Sequence, residues 1–155
     1  SGGFSMNFSW KGLGLVADFS WIGERWIFIN EQYYTRNPTN LLMNSNFERK
    51  MLNIWTTPGQ VTDIPKYGTE FRFDTSTYSN ASFMRLKNLS ISYTFPRELI
   101  SKSRIFSAMR LYVTGRNLWT VTDFEGYDPE VGYSNAVVGM YPNSRQIVFG
   151  AELTF

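Results

Sequence analysis

Four carboxylates fall within one eight-residue stretch of the chain: Asp123, Glu125, Asp128 and Glu130. Clustered carboxylates can bind Ca²⁺, but an EF-hand loop alternates its first ligands, turns at a central Gly and ends on Glu. The spacing that follows Asp123 breaks this pattern at once. Neither a nucleophile nor a set of metal ligands accompanies the carboxylates, as an active site would require. We therefore interpret the stretch as a solvated loop and predict no catalytic residue, no metal site and no cofactor site.

The composition excludes several other kinds of chemistry. The 155 residues include no Cys and no His, which removes disulfide frameworks, Cys/His zinc sites, and mechanisms based on a thiolate nucleophile or an imidazole base. The 15 basic and 13 acidic residues are scattered along the chain. Because no basic block is present to follow a phosphate backbone, we expect no nucleic-acid partner.

Aromatic residues between the predicted strands form a second set that could do chemistry. Rings with polar tips suit the faces of sugars and peptides as well as protein interfaces. The candidates for binding are Trp26, Tyr33, Tyr34, Trp55, Tyr127 and Tyr133, and Tyr67, Tyr78 and Tyr141 belong to the same group. The alternative is that these rings pack the long loops onto one another.

Alternation of apolar and polar residues, typical of a sheet with two unlike faces, runs through most of the chain. It predicts five strands, near residues 3–10, 13–22, 83–95, 109–123 and 145–155. These strands exceed the usual length of about five or six residues, and match the roughly nine to eleven that a tilted strand needs to cross a bilayer.

Two local features of these strands can be predicted. The first two strands are joined at Lys11-Gly12 by a turn of about two residues, which indicates a hairpin. Residues 83–87 fit the alternation less well, which indicates a bulge or a frayed end.

Several polar side chains occupy strand positions opposite to the apolar ones: Asp18, Arg110, Tyr112, Arg116 and Glu152. If the apolar positions face lipid, these side chains face the lumen of a barrel, where they could contact substrate or a plug. The alternative is that they pair with one another in an interior that is polar in any case. An Arg facing lipid at the bilayer midplane would cost about 2–4 kcal/mol. The strand register of these residues therefore indicates which face of the sheet meets lipid.

The connections between the predicted strands are uneven in length. The long ones, 23–81 and 125–144, lie at the same end of an up-and-down meander, as in outer-membrane barrels with short periplasmic turns and long external loops. Within the longer loop, Ser45 and Glu48 form a capping box followed by an apolar stripe. This predicts a helix of two or three turns that ends before Thr57. No linker divides the chain, and we expect a single β domain.

Alternation alone does not determine which face of the sheet meets water. In a soluble β-sandwich the apolar face covers a second sheet, whereas in a membrane barrel it contacts lipid. Strand length, uneven connections, aromatic residues near strand ends and a last strand that ends on Phe155 all favour the barrel. In a barrel, Phe8, Phe19, Leu111 and Phe149 contact acyl chains instead of converging in one dry interior.

Several segments resemble SusC/RagA-type TonB-dependent outer-membrane receptors. Residues 83–96 read FMRLKNLSISYTFP and resemble the LRLKNLxLxYxxP segment of that family. Residues 111–118, followed by 126–131, resemble its vyvsgqNL and GxDPEv segments. The hairpin that begins at Gly2-Gly3-Phe4-Ser5 and the close from Tyr141-Pro142 to Phe155 are also similar. The resemblance covers most of the chain and is weakest across residues 24–80.

The resemblance implies an all-β fold, a transmembrane antiparallel β-barrel of about 22 strands. This chain would be its C-terminal part, the last five strands with their external loops, without the plug domain and TonB box. It further implies a nutrient importer for glycans, oligosaccharides or peptides in the outer membrane of a Gram-negative bacterium, and not an enzyme. The role implied for Phe155 is recognition by the membrane-insertion machinery.

The implied partners are the rest of the barrel and the plug, the TonB complex through the absent N-terminal part, a SusD-like surface lipoprotein and outer-membrane lipids. No cofactor is implied. Two alternatives remain open at this point. A passive or structural outer-membrane barrel would share the strand pattern, and a soluble β-sandwich that binds a ligand would bury the apolar face as its core.

Overall fold

The computed structural model describes residues 1–39, 46–100, 102, 105–131, 136–137 and 139–155. These residues form two compact units. The first unit comprises residues 1–25, 81–123 and 142–155, and the second comprises residues 26–80 and 124–141. The sequence led us to expect a single domain without a linker. Each unit is built from segments that are separated in the sequence, so the chain passes between the two units more than once. No Pro- or Gly-rich stretch marks these boundaries.

The described part of the chain contains eight strands: β1 Gly2–Trp10, β2 Leu13–Ile22, β3 Trp26–Ile29, β4 Tyr78–Asn80, β5 Phe83–Thr94, β6 Ala108–Thr122, β7 Ala136–Val137 and β8 Gln146–Thr154. Two short α-helices, α1 Glu31–Thr35 and α2 Arg97–Ile100, accompany them, with 3-10 turns at Arg49–Asn53 and Thr75–Thr77. Within these ranges no helix has the length and apolar character needed to span a membrane.

The first unit is built on one antiparallel sheet with the order β1-β2-β5-β6-β8. Its strands are 9, 10, 12, 15 and 9 residues long. Every strand limit lies within one residue of the limit that the alternation predicts. The antiparallel all-β architecture expected from the sequence is therefore present.

The hairpin between β1 and β2 has the backbone of a two-residue turn of the primed type. Lys11 and Gly12 both have positive φ, 46° and 89°, as such a turn requires. A Cβ at Gly12 would lie 2.5 Å from the carbonyl oxygen of Thr94. Gly12 is thus required both by the left-handed backbone and by the close approach of β5.

The irregularity expected within residues 83–87 is confirmed as a bulge. Asp18 and Phe19 are adjacent in β2, but they pair with Asn88 and Leu86, so Lys87 is an extra residue in β5. The extra residue reverses the phase of the strand. Apolar side chains occupy odd positions after it, such as Leu89, and an even position before it, at Leu86, yet they share one face of the sheet.

The second unit contains a three-stranded sheet with the order β4-β3-β7, in which β3 is antiparallel to β4 and parallel to β7. We expected residues 23–81 and 125–144 to be loops apart from one helix. Because β3 is four residues long and its Trp26–Ile29 sequence is apolar throughout, it has no alternation from which a strand could be predicted. Ile27 and Ile29 are buried and form part of the core of this unit with Met51 and Ile64.

The predicted helix of two or three turns is wrong in length and type. Ser45 lies outside the described residues, and the helical segment is one 3-10 turn from Arg49 to Asn53 without a side-chain cap. The chain leaves the helical conformation at Ile54 because the next residue, Trp55, donates its N–H to the carbonyl of Ile64 at 3.0 Å. Non-local pairing thus replaces the hydrogen bonds that a longer helix would make.

Candidate lumen wall and loop surface

Strand pairing arranges the apolar side chains of the large sheet in rows, because paired residues on antiparallel strands point to the same face. One complete row is Phe8, Leu15, Ile91, Val113 and Phe149. Its end members are 58% and 79% exposed. A soluble sandwich would bury such a row against a second sheet. The exposed rings of Phe8 and Phe149 do not form the dry interior that this alternative requires.

The other two residues singled out for this face agree with that conclusion. Leu111 is exposed, and it is in a row with Trp10, Leu13 and Tyr93. Phe19 is half-buried because its ring stacks on Phe4 of the neighbouring strand at 4.7 Å. Its partner is on the same face of the sheet and not across a closed core.

Aromatic residues lie toward both ends of the apolar face. At the hairpin end, Trp10 is followed along its row by Tyr93, whose ring lies 5.0 Å from Phe95. At the opposite end, Trp21 lies 6.0 Å from Phe4. Membrane barrels carry such aromatic girdles at their two interfaces with water.

Phe155 is 82% exposed, and its ring lies 5.2 Å from Phe106. Its carbonyl accepts a hydrogen bond from the hydroxyl of Ser107. The side chain is therefore available to lipid or to another protein.

The opposite face of the same sheet is polar and carries all five predicted lumen residues. One row is Ser5, Asp18, Asn88, Arg116 and Gln146. Asp18 accepts hydrogen bonds from the Ser5 hydroxyl and, at 3.0 Å, from the Asn88 amide. Arg116 is exposed and belongs to the same row, in which Asn88 lies between Arg116 and Asp18.

The other three predicted lumen residues lie together. Arg110 donates to Glu152 and to the Ser92 hydroxyl, both at 3.3 Å, and its guanidinium lies 5.9 Å from the ring centroid of Tyr112. The Tyr112 ring covers Gly150, where a Cβ would approach within 2.2 Å of it. Arg110, Tyr112 and Glu152 thus form one polar cluster on this face.

Arg85 belongs to this face as well, although the alternation of the sequence does not predict it. It is only 4% exposed, donates to the Thr120 hydroxyl at 2.9 Å and lies over the Phe83 ring at 5.5 Å. Its odd position would place it with the apolar residues if the alternation ran unbroken through β5. The bulge at Lys87 returns it to the polar side, and the broken alternation was the signal that could have located it.

In the second unit, the predicted binding residues Tyr33 and Tyr34 belong to a cluster of aromatic rings. Its ring lies 5.1 Å from Tyr34, 5.2 Å from Phe71 and 5.9 Å from Phe73. Tyr78 joins the same cluster through Phe28. Packing of loop segments onto one another therefore accounts for Tyr33.

The remaining loop aromatics differ in exposure. Trp55 is half-buried, while Trp26 and Tyr127 are exposed, as are Tyr67 and Tyr141. Tyr133 lies outside the described residues. Trp26 and Tyr127 are thus accessible to a ligand or partner.

An ion-pair network joins the two long segments of the second unit. Glu125 contacts Lys50 at 2.7 Å and Arg36 at 2.9 Å, and Arg36 also contacts Glu48 at 2.6 Å. The hydrogen bond from Lys50, together with the one from Arg36, holds the pKa of Glu125 below its usual value although partial burial opposes this. Burial lowers the pKa of Arg36, but its bonds to Glu48 and Glu125 outweigh this and raise it.

The carboxylates of residues 123–130 do not converge on one point. Glu125 belongs to the ion-pair network, and Asp128 is buried and accepts the Glu130 N–H at 2.9 Å. Among the residues described, no group of three or more His, Cys, Asp or Glu side chains is placed to hold a metal ion.

The second unit also contains a partly open cavity of about 480 Å³. Its wall combines apolar and charged side chains, including Gln32, Ile64, Phe71 and Arg72. A cavity of this size can accept a small molecule, for which typical volumes are about 300–1,000 Å³.

Known proteins that resemble this chain are TonB-dependent receptors, although no protein-family profile matches it. TonB-dependent receptor P3 of Formosa agariphila is 36% identical over 123 residues, which are 72% of this chain and 12% of that receptor. TonB-dependent receptor SusC of Bacteroides thetaiotaomicron is 31% identical over 78 residues, which are 49% of this chain and 8% of SusC.

A solved structure of the RagAB peptide importer, in its closed-closed state, contains a chain that superposes with a TM-score of 0.90 at 44% identity. The match covers 99% of this chain and 17% of that one. This chain therefore spans less than a fifth of the length of these relatives. Agreement in fold and sequence over nearly all of its residues establishes the relationship: the chain belongs to the SusC/RagA type of TonB-dependent receptors.

Proposed function

We propose that this chain forms barrel wall and external loop surface in an outer-membrane importer that takes up a nutrient at the expense of TonB-coupled energy. The nutrient class is a glycan, an oligosaccharide or a peptide. The importer would reside in the outer membrane of a Gram-negative bacterium. The proposal is supported by the relatives, which are TonB-dependent receptors and a peptide importer.

The observation that carries the proposal is the large sheet with one exposed apolar face and one polar face. Lipid is the environment in which a row such as Phe8 to Phe149 can remain uncovered. The opposite face, with Asp18, Arg110 and Arg116, then lines a lumen through which a polar solute can pass. No lipid-facing position of the central rows carries a charge.

The edges of the sheet support a partner on each side. Among the described strands, β1 pairs only with β2, and β8 pairs only with β6. Lipid does not tolerate open sheet edges, since each unpaired backbone group would lack a hydrogen-bond partner. We therefore propose that further barrel strands cover β1 and β8. A plug would contact the polar face, and a SusD-like surface lipoprotein would contact the loop surface.

The proposal is tested with the full-length receptor in its own host. Growth and uptake are measured on matched sole nutrients, an oligosaccharide set and a peptide set, in the parent strain, a receptor deletion and a TonB deletion. We expect uptake of one set to be lost in both deletions. Uptake that persists without TonB would instead identify a passive barrel, and uptake unaffected by the receptor deletion would contradict a role in import.

A further inference from the structure

The cavity of the second unit has two walls. One is α1 with the residues that follow it, represented by Gln32 and Arg36, and the other is the segment 63–77. All the lining residues belong to the second unit. The site can therefore be considered without reference to the barrel wall.

Gln32 contributes an unpaired side-chain amide to the wall of this cavity. The residue is only 5% exposed and lines the cavity. Its side-chain amide has no hydrogen-bond partner among the residues that the structure describes. Because the amide borders the cavity, it can form a hydrogen bond with a molecule bound there.

The charges that line the cavity are unequal. Three carboxylates, of Asp63, Glu70 and Asp74, lie in its wall, with the guanidinium groups of Arg36 and Arg72. Arg36 is already engaged, because its guanidinium binds two carboxylates that are not part of the wall. Among the lining residues, Arg72 is then the cation left to balance three carboxylates, so the lining has an excess of negative charge.

Two of these carboxylates are available to a ligand. Asp74 accepts the N–H of Ser76 at 2.9 Å and is engaged in its own turn. Asp63 and Glu70 have no ion-pair partner in the described ranges, and Lys66, which lies between them in sequence, is not part of the cavity wall. Phe71 adds an aromatic ring to the same wall.

We propose that this cavity binds a cationic nitrogen group of a ligand, either a protonated amine or a guanidinium. Asp63 and Glu70 would accept charge-assisted hydrogen bonds from it, and the Gln32 carbonyl oxygen would supply a neutral acceptor. Phe71 belongs to the same wall, and an aromatic ring attracts a cation placed over its face. The inference rests on the proposed function, since the cavity would select among the nutrients that the receptor captures.

Two matched probe pairs test the proposal by equilibrium binding to the purified full-length receptor. One pair is N-acetyl-argininamide and its neutral citrulline counterpart, and the other is glucosamine and glucose. We expect at least one cationic probe to bind about tenfold more tightly than its neutral counterpart. Discrimination in the first pair would indicate a peptide-type ligand, and in the second an amino sugar. Equal affinities within both pairs, or no binding of any probe, would overturn the proposal.

Variants then assign the discrimination to the cavity. The double substitution Asp63→Asn with Glu70→Gln is expected to abolish the tenfold preference, while Asp123→Asn, an exposed carboxylate of the first unit, leaves it unchanged. Heat-modifiable migration of each variant checks that the barrel is folded. A double variant that is folded and keeps the preference would refute the site. Because binding is measured apart from uptake, its failure is distinguishable from a failure of the import proposal.

Discussion

Neighbouring side chains on β8 lie on opposite faces of the large sheet. Phe149 pairs with Val113 in an apolar row, whereas Val148 pairs with Thr114 on the polar face. Both side chains are exposed. In the proposed barrel, Phe149 would therefore meet lipid and Val148 would meet the lumen.

This difference predicts opposite outcomes for one substitution at two adjacent positions. Phe149→Arg is expected to destabilise the folded receptor by about 2–4 kcal/mol, because a charge on the lipid face must leave water. Val148→Arg, its matched control, is expected to change stability by less than about 1 kcal/mol. Unfolding of the full-length receptor in liposomes by urea measures both. Equal effects of the two substitutions would contradict the assignment of the faces.

Phe155 allows a second prediction at the scale of the residue. Phe155→Asp is expected to reduce the amount of inserted receptor, because the exposed ring beside Phe106 would become a charge that lipid disfavours. Phe155→Tyr keeps an aromatic ring and serves as the control. The readout is the amount of heat-modifiable barrel in isolated outer membranes. An unchanged amount in the Asp variant would show that the ring has no part in assembly.

Turns and bulges determine how the elements fit together. Gly12 is constrained by its positive φ of 89° and by the nearby Thr94 carbonyl, whereas Gly59 has a similar φ of 88° and open space around it. A comparison of Gly12 with Gly59 therefore separates the energetic cost of backbone strain from the cost of steric overlap.

We expect Gly12→Ala to destabilise the receptor more than Gly59→Ala. The strain of a left-handed Ala costs on the order of 1 kcal/mol in either turn, and Gly12→Ala adds the displacement of β5. Thermal unfolding of the two variants measures the difference. If both lose the same stability, the approach of the Thr94 carbonyl has no energetic consequence.

The ion-pair network of Glu125 leads to a prediction about pH. Its pKa is lowered in the folded state. Its ion pairs therefore contribute fully above the unfolded pKa, and the contribution is lost as pH falls through the lowered value. Because the pairs are partly exposed, they are worth about 0.2–1 kcal/mol each.

Hydrogen exchange of residues 124–131 in the full-length receptor measures this contribution. Glu125→Gln is expected to accelerate exchange about two- to fivefold at pH 7, and to have a smaller effect at pH 3, because the native carboxylate gains protons as pH falls through its lowered pKa. Asp123→Asn is the control at both values. A difference that persists unchanged at pH 3 would mean that charge is not the cause.

At the scale of the whole molecule, the sequence predicts the large sheet more completely than the second unit. The alternation determines β1 and β2 because a two-faced environment selects every second residue. The second unit is held together by non-local contacts, such as Trp55 with Ile64 and Glu125 with Arg36, which have no period along the chain. Its cavity could not be predicted, since Gln32 and Asp63 are brought together only by that folding.

The open edges of the sheet give a prediction for the chain of 155 residues expressed by itself. It is expected to aggregate in aqueous buffer, because β1 and β8 expose unpaired backbone groups and the apolar face has no cover. Sedimentation of the purified chain without detergent measures this. A soluble, monodisperse monomer would restore the sandwich alternative.

Because Lys87 is an extra residue in β5, the face on which each side chain lies depends on the length of the strand as well as on its composition. The two halves of this strand follow opposite parity. Deleting Lys87 would leave Leu86 and Arg85 on their present faces, whereas straightening the strand with Lys87 retained would turn Arg85 to the apolar face. A chain of the same length that lacks the bulge can build the same wall only with polar and apolar residues exchanged from position 83 to position 86. Aligning such receptors by hydrophobic pattern alone would therefore misplace this segment, whereas counting residues across the bulge would align it correctly.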